Sequence, residues 1–149
     1  MKSGLQERKS VGPVDVAFAG LVAAYCLCGN ALATAYVEPL SADNLGPLAL
    51  AYHDRPPPLF LLPLLLLLLL ACPVLPAVGR GALIAFVGAA CANIASAAFW
   101  PTGVPDYIVF GNVDVIANVS DVVMVVSATV VVATILGRLV RRAKRPVVR

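Results

Sequence analysis

The chain has 149 residues, of which 60% are hydrophobic and 13% charged, with a mean hydropathy of +0.92. A soluble domain of this length has too little interior for so much apolar surface, so lipid must form part of its solvent. The net charge of +3 comes from basic residues that flank apolar runs, which argues against a nucleic-acid partner, and the length fits a single domain over residues 1–149.

Residues 1–10 carry Lys2, Arg8 and Lys9 ahead of the first apolar run, 14–36. A secretory signal peptide begins in the same way, but this run is long and lacks a small-residue cleavage pattern, so a retained first helix is predicted. The second run, 59–78, contains leucine at every position from 64 to 70, with Pro63, Pro73 and Pro76 placed to kink it or shape its ends. The third run is 82–99. The fourth, 119–140, is rich in valine, which in water would suggest a strand. In hydrocarbon a lone strand leaves its backbone unpaired, so helix is predicted there too. The expected fold is an all-α membrane protein, a bundle of four transmembrane helices with a basic cytoplasmic tail at 141–149.

The connections set the orientation. If both termini and the short turn at 79–81 face the cytoplasm, ten of the eleven Lys and Arg lie inside, and only Arg55 lies outside. Glu38, Asp43, Asp54, Asp106, Asp114 and Asp121 then fall in or beside the two outer connections, 37–58 and 100–118. These are long and rich in Pro, Gly and Asn, and long loops on one face of a bundle are where function concentrates. They are expected to build a small extracytoplasmic loop and strand element.

Cys26, Cys28, Cys72 and Cys91 all sit in apolar stretches with no histidine nearby, and read as small packing residues. No metal or organic cofactor is predicted. His53, the sole histidine, reads as a solvated loop residue beside Asp54, and prolines 56–58 as a stiff entry to the second helix.

The outer end of the third and fourth helices holds the chemistry. Asn93 is an amide inside an apolar run and needs partners. Asp106 follows the tight sequence Pro101-Thr102-Gly103-Val104-Pro105, and Asn118 and Asp121 lie three apart, on nearly one helical face. Two carboxylates brought together cannot both ionise easily and tend to share a proton, so one can serve as general base while the other acts as acid. Each acid also has a plainer reading: Asp121 and Asp114 as helix-start or loop acids, and Asp106 as a turn residue.

Ala92-Asn93, Gly103-Val104-Pro105-Asp106-Tyr107-Ile108 and Asn118-Val119-Ser120-Asp121 together resemble signal peptidase II, the lipoprotein signal peptidase. The resemblance covers residues 83–136. It implies a membrane aspartyl protease with Asp106 and Asp121 as the catalytic pair, supported by Asn118 and Asn93. It further implies four helices, cytoplasmic termini and a bacterial inner-membrane address. The implied substrate is a lipid-modified prolipoprotein, cut near the outer surface of the bilayer. Where the family carries Asn-x-x-Asp-Arg in helix three, this chain reads Asn93-Ile94-Ala95-Ser96-Ala97. Where it carries Asp-x-x-x-Lys in helix one, this chain has Asn30 and Thr34. The alternative expectation is an inactive relative of that family, which binds a lipidated peptide or packs against another membrane protein through Gly79, Gly81 or the alanine-rich face 89–98. A transporter or channel subunit fits less well, because interior polar residues are few and no inverted repeat is visible.

Overall fold

The computed structural model describes residues 10–37, 39, 48–53, 61–110 and 116–144. Helix α1 (Pro13–Tyr36) opens with Pro13 at its first position, where the missing N–H breaks no helical bond, and with Asp15 accepting from the Gly12 N–H at 2.8 Å. Its 24 residues span about 36 Å, enough for a hydrocarbon layer of about 30 Å. Helices α3 (Ala77–Phe99) and α4 (Val119–Ala143) are comparably long and apolar, so the described residues hold three helices fit to cross a membrane. Large apolar side chains such as Val14, Leu21, Phe99 and Val125 face outward, as a lipid solvent requires.

The second apolar run departs from its prediction. In place of one helix over 59–78, an 11-residue α2 (Leu61–Ala71) gives way to a 3-10 turn at Cys72–Val74, and α3 begins at Ala77. The prolines explain the break. Pro73 brings no N–H, and Pro76 pushes Leu75 into extended backbone at φ −85°, ψ 150°. The turn expected at 79–81 is therefore helical, the third helix starts at 77 and not at 82, and no fourth spanning helix stands among those described. At the other end, α4 continues past 140 to Ala143, so the predicted tail begins as helix.

Helix α3 is the centre of the bundle: half of its spanning window is buried, against 17% for α1 and 11% for α4. It runs parallel to α1. Asp15 pairs with Arg80 at one end, Gly88 packs on Ala19 in the middle, and Asn30 bonds Ser96 at the other end. A Cβ at Gly88 would stand 2.5 Å from the Ala19 carbonyl oxygen, so the two backbones meet at this distance only because the residue is glycine. Helix α4 runs antiparallel to α3, from the Asn93–Asp121 contact down to Gly79, where an added Cβ would lie 3.0 Å from Thr134. Gly79, Ala89, Ala90 and Ala92 are thus buried within the bundle, and much of the α3 face expected to meet another membrane protein is internal.

Strands β1 (Leu48–His53), β2 (Val104–Val109) and β3 (Ile116–Ala117) form one antiparallel sheet in that order, with Ala51 opposite Asp106 and Ile108 opposite Ala117. The sheet caps the bundle where α1 and α3 end and α4 begins, with Ala33, Leu50 and Tyr107 as its core. The expected loop and strand element takes this form. Cys26 and Cys72 are buried packing residues, while Cys28 and Cys91 are exposed on α1 and α3. The expectations for the His53 side chain, Asp54, prolines 56–58 and Asp114 fall outside the described residues.

Candidate functional site

All four residues singled out in the sequence lie at the sheet end of the bundle, and hydrogen bonds join them. Asp106 is placed by the turn that ends α3. The Gly103 N–H donates to the Trp100 carbonyl at 3.1 Å, and Gly103 adopts φ 95°, a conformation that favours glycine. The chain leaves this turn as β2, with Asp106 as its third residue and only 3% exposed.

Asp121 is placed by the start of α4. Asn118 is the N-cap, in extended backbone, and its Oδ1 accepts from the Asp121 N–H at 3.1 Å. In return Asp121 Oδ2 accepts from the Asn118 N–H at 3.2 Å, a reciprocal cap in which the short Asp does what Glu usually does. The plainer reading of Asp121 as a helix-start acid therefore holds. It is also incomplete, because Asp121 Oδ1 accepts from Asn93 Nδ2 at 2.7 Å, which ties the carboxylate to the middle helix.

Asn118 joins the two acids. Its amide oxygen is committed to the Asp121 N–H, and a backbone N–H can only donate, so the amide nitrogen must face the other way. That nitrogen donates to Asp106 Oδ1 at 2.8 Å. Asn118 is fully buried, and the geometry of the pair rests on one locked side chain.

Sequence reasoning missed Tyr107, Asn30 and Ser96 as contributors at this end. Tyr107, next to Asp106 on β2, accepts from the Val119 N–H at 3.4 Å, and its hydroxyl lies where a Cβ on Gly29 would come within 2.9 Å. Burial raises the phenol above its usual pKa, opposed by the Val119 N–H, so Tyr107 stays neutral. Asn30 Nδ2 donates to Ser96 Oγ at 2.8 Å, both residues fully buried. These are two of the positions at which the resemblance leads one to expect charged groups, and here they form a neutral pair. At the far end Arg80 pairs with Asp15 and also donates to the Ser10 carbonyl at 2.9 Å. Asn30 carries the same signal as Asn93, an amide within an apolar helix, and was legible on that ground.

The arrangement offers two carboxyl groups held by a common amide, one almost sealed and one half-buried, at the end of a lipid-facing bundle. Among the described residues no group of three or more His, Cys, Asp and Glu gathers as a metal site. Comparison of the chain with protein-family models, curated proteins and solved structures returns no match.

Proposed function

We propose that the protein is a membrane aspartyl endopeptidase of the signal peptidase II kind, acting on lipid-modified prolipoproteins at the outer face of a bacterial inner membrane, with both termini cytoplasmic. The observation that carries the reading is the bridging of Asp106 and Asp121 by Asn118. Asn93, the fourth residue of the motif, bonds Asp121.

In the proposed reaction one carboxylate takes a proton from water, whose oxygen attacks the scissile carbonyl carbon. The other carboxyl group gives its proton to the carbonyl oxygen, and a tetrahedral diol forms. Collapse breaks the C–N bond as the amine nitrogen takes a proton from the first acid and a diol hydroxyl returns one to the second, so a carboxylic acid and an amine leave and the pair is restored. Neither metal nor organic cofactor takes part. The sheet end would be the outer end. The parallel run of α1 and α3 supports a return crossing between them, which we assign to α2.

A non-catalytic bundle that binds a lipidated peptide, or assembles with another membrane protein, is favoured by one observation: Asp106 is 3% exposed, and a substrate reaches it only if its cover moves. The deciding experiment is cleavage of a diacylglyceryl-modified prolipoprotein peptide by the purified chain in detergent, beside Asp106→Asn and Asp121→Asn. The protease reading predicts cleavage that both variants lose while staying folded. Substrate binding without cleavage by the unaltered chain selects the binding reading.

A further inference from the structure

Three buried polar atoms where α1, α3 and α4 meet have no hydrogen-bond partner among the described residues: Asn30 Oδ1, Asn93 Oδ1 and Ser120 Oγ. Asn30 and Ser120 are fully buried. The three belong to one polar layer. Asn30 is bonded to Ser96, which lies one turn beyond Asn93 on α3, and Asn93 is bonded to Asp121, the neighbour of Ser120 on α4. The Cys26 thiol, one turn before Asn30, faces the Ser120 hydroxyl without closing a hydrogen bond of ordinary geometry.

Turning the amides does not cure the deficit. Asn93 must present its nitrogen to the Asp121 carboxylate, which leaves its oxygen unmet. Asn30 can present either end to the Ser96 hydroxyl, which donates or accepts, and either choice leaves the other end unmet. An unmet buried polar group costs about 1–3 kcal/mol, and such groups in folded proteins are met by ordered water. The donors wanted are O–H groups on a very small molecule that serves two amide oxygens and exchanges freely with a hydroxyl. A hard cation would want about six or more oxygen ligands, twice what this layer supplies.

We propose that this layer is an internal hydration site, holding ordered water against Asn30 Oδ1, Asn93 Oδ1 and Ser120 Oγ. Asn93 is the link to the acid pair: its oxygen rests on the water while its nitrogen holds Asp121. The water thereby positions one of the two carboxylates from beneath. The hydration site stands independently of the protease reading, and only its consequence for cleavage rests on that reading.

The test is water-selective NMR on the full chain, labelled with 15N-asparagine, in detergent micelles. The Asn30 and Asn93 side-chain amide signals are assigned by loss in Asn30→Ser and Asn93→Ser. The expected result is a dipolar cross-peak from both amides to water, with the sign of water held for nanoseconds or longer. The Asn93 peak should persist in Ser96→Ala, where no hydroxyl on that residue can relay exchange. It should be lost in Ser120→Val, which puts methyl groups in place of the hydroxyl. Absence of the cross-peak from both amides in the folded chain overturns the proposal, and so does an Asn93 peak unchanged in folded Ser120→Val. Should that variant fail to fold, the unaltered chain and Ser96→Ala decide: an Asn93 cross-peak kept in both supports the site, its loss in Ser96→Ala or its absence from the unaltered chain overturns it, and neither reading depends on peptidase activity.

Discussion

Asn118 Nδ2 reaches Asp106 Oδ1 at 2.8 Å, while the oxygen of the same amide caps the first turn of α4. One side chain therefore performs a local task, starting a helix, and a long-range one, fixing a strand carboxylate against that helix. The two tasks can be separated by substitution.

Asn118→Ser retains a good N-cap but is too short to hold Asp106 as well. Its thermal unfolding in detergent should stay close to that of the unaltered chain, while the cleavage rate falls about 10²-fold through misplacement of one acid. Asn118→Ala should lose the same rate and about 1 kcal/mol of stability besides. An Asn118→Ser variant with full activity would show that the bridge does not matter.

The α1–α3 contact depends on Gly88, where an added Cβ meets the Ala19 carbonyl oxygen. Gly88→Ala should cost about 1–3 kcal/mol in unfolding measurements, because backbone has to shift to relieve the overlap. Gly81→Ala, in open space on the same helix, should cause no loss. Equal behaviour of the two variants would contradict the packing described.

Asp15 and Arg80 join the first turns of the same two helices. Arg80→Ala should lower the melting temperature by removing both this pair and the bond to the Ser10 carbonyl. The exchanged pair, Asp15→Arg with Arg80→Asp, should recover part of the loss, whereas either exchanged residue alone should be worse than alanine. A double exchange no better than its single members would show that the pair is not what joins these ends.

The proposed return of the chain between His53 and Ala77 predicts sidedness. In cysteine-free protein in sealed vesicles, single cysteines at Ser10 and Lys144 should react with a membrane-impermeant thiol reagent from one side. A cysteine at Thr102, in the turn before β2, should react from the other. Labelling of positions 10 and 102 from one side, with position 144 from the other, would remove the fourth crossing.

Much of the fold was legible because its signals are local. The start of α4 at Val119 is set by Asn118 and Asp121 three residues apart, and the start of α1 by Gly12-Pro13 ahead of an apolar run. The places of Asp106 and Asp121 were legible as well, since a tight glycine turn and a helix cap each announce where a carboxylate will stand. What escaped the sequence was decided between distant segments. Hydropathy alone does not say that Pro73 and Pro76 break the second run after Ala71, or that Gly79-Arg80-Gly81 begins a helix. Arg80 read as a cytoplasmic turn charge because its partner Asp15 lies 65 residues earlier. Asn30 and Ser96 looked like losses of charge until the fold set them 2.8 Å apart.

The measurement that bears most directly on the central claim is a double-mutant cycle on prolipoprotein cleavage, with Asp106→Asn, Asp121→Asn and the double variant compared at matched folding. If the two aspartates act as one unit, each single variant falls to the same residual rate as the double, since removing the second adds nothing once the first is gone. Single variants that keep substantial activity, with losses that multiply in the double, would contradict the paired-acid mechanism, as would an unaltered chain that binds the peptide and never cuts it.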